Sequence, residues 1–257
     1  MDKIREIGSS SMFFVAVGLY TLSAILSTVD VFLVFIPAFS VDAFMAFGGF
    51  VGGVFGVIVT ALPVIALWLF LDASKNTESI NVDGKKVLTG LKLARISLII
   101  NICLIGILVV FGLITIFLSM LLEEASNLLF ASGLLIIFTS GIAILQLVLA
   151  MGLVKGLRDG LYRGYFKPLP RSSAFTVVVT IQILLAIIMM FLSPNLLSGM
   201  GVEQEWIDII GAEFASGLSI GTFASLSSIL AMGLFLILLR QFNDAVKDDT
   251  QPPFTNL

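Results

Sequence analysis

The chain has 257 residues, of which 58% are hydrophobic and 12% charged, with a formal net charge of −3 and a mean hydropathy of +1.12. A soluble domain is about a quarter charged, so this composition excludes an ordinary soluble protein. The chain has no histidine and one cysteine, Cys103, which excludes bis-histidine haem, histidine-ligated metals, cysteine-held iron–sulfur clusters and histidine-activated nucleophiles.

Six apolar stretches are long enough to cross a bilayer as helices, which takes roughly 20 apolar residues for about 30 Å of hydrocarbon. The stretches lack the alternation of polar and apolar residues that barrel strands show. The sequence therefore predicts an all-α integral membrane protein, a single-domain six-transmembrane-helix bundle. The predicted spans are about 12–36, 44–71, 96–122, 128–154, 173–193 and 214–239.

The basic residues predict the orientation of these spans, because short cytoplasmic loops are enriched in Lys and Arg. All 14 bases precede the first span, follow the sixth, or lie in the second and fourth loops, at 72–95 and 155–172. These segments carry a net charge of +5, whereas the opposite loops carry −7 and no base. The N-terminus and C-terminus are therefore predicted to be cytoplasmic, in the plasma (inner) membrane.

The first span follows Lys3 and Arg5, as the apolar core of a signal peptide would. A signal peptide has an apolar core of about 7–15 residues, and this run is far longer, so we expect a retained first helix. Its one acid, Asp30, is the only ionisable side chain inside a predicted span. No base in any span neutralises it, so it must be protonated, hydrogen-bonded, hydrated or paired with a mobile cation.

Two interpretations of Asp30 follow from its position. The first is a proton or sodium site of a transport cycle, with Ser27 and Thr222 as predicted partners at similar depth. The second is a structural aspartate that reaches water near the outer surface. Its position near the outer end of the first span favours the second interpretation slightly.

Glycines spaced four apart occur in the second and sixth spans and lie on one helix face in each. Such small residues allow the close approach of helix backbones, so we predict helix packing there. A glycine-lined passage or a self-association face is the alternative. The residues concerned are Gly48, Gly52, Gly56, Gly217 and Gly221.

Three segments between the spans have features of their own. Asp83-Gly84 in the second loop predicts either a β-hairpin turn or a turn in a flexible loop. The fourth loop interleaves aromatic residues with bases that could contact lipid headgroups, or that only set the topology; the bases are Lys155, Arg158, Arg163, Lys167 and Arg171. The segment 201–210 predicts a short amphipathic helix on the outer surface.

The sequence contains no phosphate-binding or dinucleotide-binding glycine motif, and a single intramembrane acid cannot form an aspartyl pair. We therefore expect no enzyme activity, no cofactor and no bound metal. The leading prediction is a structural, assembly or accessory subunit of a membrane complex. A transporter or channel component for a small neutral or apolar solute or a cation is the alternative. Expected partners are membrane lipids, further copies of the chain or another membrane protein, and not nucleic acid.

Overall fold

The computed structural model describes residues 6–38, 43–75, 80–121, 126–163, 165–199 and 220–250. Over these residues the chain is helical and contains no strand, which confirms the all-α prediction. A short helical turn at 6–8 precedes six long helices. They are α1 Ser11–Ala38, α2 Ala43–Lys75, α3 Ile80–Ser119, α4 Ser126–Arg163, α5 Ser172–Gly199 and α6 Ile220–Thr250.

Four of these helices are long and apolar enough, over their described residues, to cross a membrane. The qualifying parts are Ser11–Val29, Lys85–Ser119, Gly133–Arg163 and Phe223–Lys247. In α2 and α5 the apolar parts found are shorter, Thr60–Ala73 and Ser172–Ile187. Large apolar side chains such as Ile107, Phe111 and Phe117 are exposed along α3, as expected for helices surrounded by lipid rather than water.

The predicted turn at Asp83-Gly84 is wrong, whether as a hairpin or in a flexible loop. Helix α3 begins at Ile80 and runs through this dipeptide without interruption. The reason lies in the residues that follow: Val87 and Leu91 stand four apart and are both buried. These two residues give the polar start of α3 one buried apolar face. Packing of such a face stabilises a helix even where the intrinsic helix propensity of the residues is low.

The loop predicted at 155–172 is also too long, because α4 continues to Arg163. The polar last part of this helix keeps an apolar stripe, and Val154, Leu157 and Leu161 pack against the buried cluster formed by α2 and α3. The predicted span ends just before the first base, Lys155, because it follows hydropathy alone. The helix continues beyond Lys155 because its apolar stripe is packed. The connection to α5 is therefore only 164–171.

The chain divides into two compact units. Unit 1 comprises residues 1–97, 153–170 and 214–257, and unit 2 comprises 98–152 and 171–213. In unit 1, α1 packs against α2 and α6. Phe13 and Val17 of α1, Leu71 of α2 and Leu238 of α6 form its main buried cluster, with the Phe13 ring edge-on to Phe70 at 5.4 Å between centroids.

A second buried cluster of unit 1 joins Ala73 of α2 to Val87 and Leu91 of α3 and to the stripe of α4. Beside it, Lys86 Nζ lies 2.7 Å from Asp72 Oδ2. Both side chains are more than a third exposed, so this ion pair adds little stability. Contacts within unit 1 therefore bring the end of α2 together with two segments rich in bases, the start of α3 and the end of α4.

In unit 2, α3 and α4 cross at two glycines. A Cβ built on Gly112 would lie 3.1 Å from the Gly133 carbonyl oxygen, and one built on Gly133 would lie 2.8 Å from the Gly112 carbonyl oxygen. The second distance is shorter than a Cβ tolerates and the first is tighter than almost all Cβ contacts, so the backbones approach closely here because neither residue has a Cβ.

Candidate functional site

One polar feature of unit 1 is the segment 165–170, named the elbow here, which follows the end of α4. It turns back onto the last two turns of that helix. Gly156 and Gly160 stand four apart on the helix and face it. A Cβ built on Gly156 would lie 2.9 Å from Leu169 Cδ2, and one built on Gly160 would overlap the Phe166 ring. The two glycines therefore form a flat surface on which the elbow docks.

Helix α6 holds the other side of the elbow. The Phe166 ring packs edge-on against Phe242, with 5.7 Å between ring centroids. The backbone N–H of Leu169 donates a hydrogen bond to Asn243 Oδ1 at 2.8 Å, and both residues are buried. A buried backbone N–H needs a partner, so the Asn243 side chain fixes the position of the elbow relative to α6.

The docked elbow leaves a cleft of roughly 150 Å³ between itself and the end of α4. Glycine residues of α4 form part of one wall and prolines of the elbow part of the other. Its lining residues are Gly156, Asp159, Gly160, Arg163, Tyr165, Lys167, Pro168 and Pro170. The cleft therefore combines a mostly apolar and backbone surface with two bases, one acid and one phenol.

The charges at the cleft favour an anion. Arg163 and Lys167 outnumber the single acid, Asp159. Arg158 Nη2 lies 3.4 Å from Asp159 Oδ1, which offsets part of the charge of that carboxylate. The Lys167 ammonium lies 5.9 Å from the centroid of the Tyr165 ring, a separation that permits a cation–π interaction. Both bases are exposed, so their charges are available to a ligand.

The structure thus brings together two of the five bases predicted to contact lipid. Lys155 is exposed on α4 and lies outside the lining of the cleft. Arg158 is engaged with Asp159, and its buried Nε has no hydrogen-bond partner among the described residues. Arg171 is exposed, belongs to unit 2 and has a φ of 61°, in the left-handed region. Lipid contact by these bases stays a prediction.

At the predicted ion site the structure describes the two helices, but not every side chain. Helix α1 carries Asp30 and α6 carries Thr222, and these two helices pack against each other. The side chains of Asp30 and Thr222 lie outside the described part of the chain. Ser27 is exposed. The Ser23 hydroxyl is buried and donates to the Ala224 carbonyl oxygen at 2.8 Å.

Other polar side chains of the apolar helices bond within or between helices. The Thr21 hydroxyl donates to the Val17 carbonyl oxygen at 2.8 Å and accepts from Trp68 Nε1 at 3.1 Å. The Thr28 hydroxyl donates to the carbonyl oxygen one turn earlier. These bonds satisfy polar groups where water is scarce, and those between helices hold the helices together.

Most of the glycines predicted to pack helices cannot be assigned a contact. Gly48, Gly52 and Gly221 lie in described helices, but their surroundings are outside the described part of the structure. Gly217 lies outside the described residues. Gly56 is exposed, and no described atom lies within 4 Å of a Cβ built on it. The amphipathic segment predicted at 201–210 also lies outside the described residues. These predictions stay predictions.

Sequence reasoning missed two glycine pairs that the structure uses, Gly112 with Gly133 and Gly156 with Gly160. The spacing of the second pair was visible, but it fell in a segment predicted to be a loop. A further motif was also missed. Gly217 to Gly221 reads Gly-Leu-Ser-Ile-Gly, the Gly-x-Ser-x-Gly spacing of serine hydrolases. With no histidine in the sequence, a serine–histidine pair cannot form there.

Comparisons of the chain with protein-family models, with curated proteins and with solved structures find no match.

Proposed function

We propose that the chain is a non-catalytic multi-pass membrane protein that acts as a structural, assembly or accessory subunit of a membrane complex. In this proposal it crosses the plasma (inner) membrane six times, and both termini are cytoplasmic. Helices α2 and α5 complete the set of spans, and the elbow lies at the cytoplasmic surface.

The use of the polar groups within the apolar helices carries the proposal. The buried Ser23 hydroxyl joins α1 to α6, and Trp68 joins α2 to α1 through the Thr21 hydroxyl. Each of these groups is engaged by another helix rather than presented to a solute. Hydrogen bonds between helices stabilise the bundle, which is what a structural subunit requires. A carrier of charged solutes usually has more buried charged side chains.

The distribution of charge supports the proposed orientation. Lys86 of α3 contacts Asp72 of α2, and Leu157 of α4 packs on the cluster beside them. The base-rich segments of unit 1 are therefore neighbours in space. A concentration of bases at one end of a helical membrane protein is typical of its cytoplasmic end.

Native mass spectrometry tests the proposal on the tagged chain, released gently from its own membrane with lipids retained. We expect a complex of fixed stoichiometry with a different membrane protein. The chain alone, or only copies of itself, would overturn the accessory role.

One observation favours a second candidate, a transport component for a small neutral or apolar solute or a cation. Helices α1 and α6, which carry Asp30 and Thr222, pack directly against each other, so the predicted partners lie on neighbouring helices. In this alternative Asp30 binds a proton or sodium ion. A homo-oligomer that couples ion movement to uptake, and loses the coupling on Asp30→Asn, would support it.

A further inference from the structure

We propose that the cleft between the elbow and α4 binds the headgroup of a phospholipid, with Arg163 and Lys167 on the phosphate. The inference deepens the proposed function by naming a lipid partner for the elbow, and it rests on the proposed membrane orientation. It does not require a protein partner, so its test can fail while the accessory role holds.

The position of the cleft along the chain points to lipid rather than to a soluble ligand. The apolar part of α4 ends at Val154, just before the residues that line the cleft, and the next apolar helix begins at Ser172. A cleft between the end of one apolar helix and the start of the next lies at the depth of the headgroups. Tyr165 is exposed at the same level, where interfacial tyrosines concentrate.

The shape of the cleft is set before any ligand arrives. Leu169 is buried against Gly156 and bonded to Asn243, and Phe166 is held between Gly160 and Phe242. Lys167 lies between these two anchored residues, so its backbone position is fixed on both sides. A fixed backbone lowers the entropy lost when the base engages a phosphate.

The chemistry of the lining selects among headgroups. Arg163 can bond two phosphate oxygens with its guanidinium, and Lys167 adds a second positive charge. Asp159, which lines the same cleft, accepts hydrogen bonds from a headgroup that ends in a hydroxyl or an ammonium. Phosphatidylglycerol offers a phosphate, hydroxyl donors and a net negative charge. Phosphatidylcholine offers a phosphate but no donor and no net charge.

The test is native mass spectrometry of the full chain offered equal amounts of phosphatidylglycerol and phosphatidylcholine in mixed micelles. We expect the wild type to retain phosphatidylglycerol preferentially. The double variant Arg163→Gln/Lys167→Gln should lose retention by about fivefold for each base removed, the usual effect of a base beside an anionic lipid surface.

A matched control removes two bases elsewhere in unit 1. Arg240 and Lys247 of α6 are exposed and lie 3.8 and 4.0 Å from Asp244. Arg240→Gln/Lys247→Gln removes the same charge away from the cleft and should therefore reduce lipid retention less than Arg163→Gln/Lys167→Gln. An equal loss in both double variants would show a general effect of charge and would overturn the site.

Two further outcomes decide the inference. Displacement of the lipid by inorganic phosphate would identify a soluble phosphate site and overturn the lipid assignment. Equal retention of the two lipids by the wild type would overturn it as well. All the substituted side chains are exposed, so we expect the helical content by circular dichroism to be unchanged in both double variants.

Discussion

The backbone N–H of Leu169 and the side-chain oxygen of Asn243 are joined by a buried hydrogen bond of 2.8 Å. The two residues are far apart in the sequence, and their bond ties the elbow to α6. It is a bond between main chain and side chain, so any substitution of Asn243 that removes the carbonyl oxygen leaves a buried donor without its partner.

We therefore predict that Asn243→Ala destabilises the protein by about 1–3 kcal/mol, the cost of an unsatisfied buried polar group. The midpoint of thermal unfolding in detergent should fall, and the Leu169 amide should exchange its hydrogen faster. Gln241→Ala is the control, since Gln241 is exposed on the same helix. Equal midpoints and exchange rates for the two variants would contradict the role of the bond.

The docking of the elbow on glycine gives a second prediction. A Cβ at position 160 overlaps the Phe166 ring, so Gly160→Ala should displace the elbow and lower the unfolding midpoint. Gly152→Ala on the same helix meets nothing within 4 Å. It should leave the midpoint unchanged or raise it, because alanine favours a helix by up to about 1 kcal/mol over glycine.

The two alanine variants share a helix and a chemical change, so the comparison isolates the contact with Phe166. A Gly160→Ala protein as stable as Gly152→Ala would show that the elbow does not dock on α4. Restoring stability by adding Phe166→Leu to Gly160→Ala, through the smaller side chain, would strengthen the assignment.

The helical course of the four long apolar parts was predictable from hydropathy, because long apolar runs have few alternatives in a membrane. The start of α3 and the end of α4 were not. These polar parts are helical because Leu157 and Leu161 of α4 pack against Val87 and Leu91 of α3. Contacts between such distant segments cannot be read from the hydropathy of either segment alone. The turn predicted at Asp83-Gly84, in a hairpin or in a flexible loop, was wrong for the same reason.

The crossing of α3 and α4 in unit 2 gives a third prediction. A side chain at position 133 would contact the backbone oxygen of Gly112 at 2.8 Å, and a backbone cannot move aside as a flexible side chain can. Gly133→Ala should therefore cost about 1–3 kcal/mol, as overpacking does. The control is Gly141→Ala on the same helix, where nothing lies within 4 Å.

Unfolding midpoints of these two variants in detergent check the prediction. If Gly133→Ala and Gly141→Ala both have the unfolding midpoint of the wild type, the close approach of α3 and α4 is contradicted.

The candidate site was only partly predictable. The base-rich composition of residues 155–172 indicated lipid contact, but not which bases would share a cleft. Arg163 and Lys167 meet there because the elbow turns back on Gly156 and Gly160, and this turn depends on contacts with Phe242 and Asn243 of a distant helix. Spacing along one segment does not contain that information.

For Asp30 the accessory proposal makes a fourth prediction. Asp30→Asn keeps the size of the side chain and removes its charge, and Asp30 sits about 9 Å from the predicted outer end of its span at helical rise, within reach of water. We expect the variant to keep its protein partner at the wild-type level and to leave ion flux into proteoliposomes unchanged.

Asp244→Asn, on the exposed surface of α6, controls for the loss of one acid. If Asp30→Asn abolishes a proton- or sodium-coupled flux that the wild type and Asp244→Asn both support, the transport alternative replaces the accessory role.

In the proposed topology the chain crosses the membrane six times, with the elbow on the cytoplasmic side. If only the four helices with long described apolar parts crossed the membrane, the termini would again be cytoplasmic, but the elbow would lie outside and the turn between α3 and α4 inside. The two arrangements therefore differ at Lys167 and Glu124.

Cysteine labelling in intact cells measures this difference, and a background free of cysteine requires only Cys103→Ser. Single cysteines replace Glu124 or Lys167, and a maleimide that cannot cross the membrane is added before or after permeabilisation. With six spans, we expect Glu124→Cys to react in intact cells and Lys167→Cys to react only after permeabilisation. The reverse pattern would show that the elbow lies outside and would rule out the six-span topology.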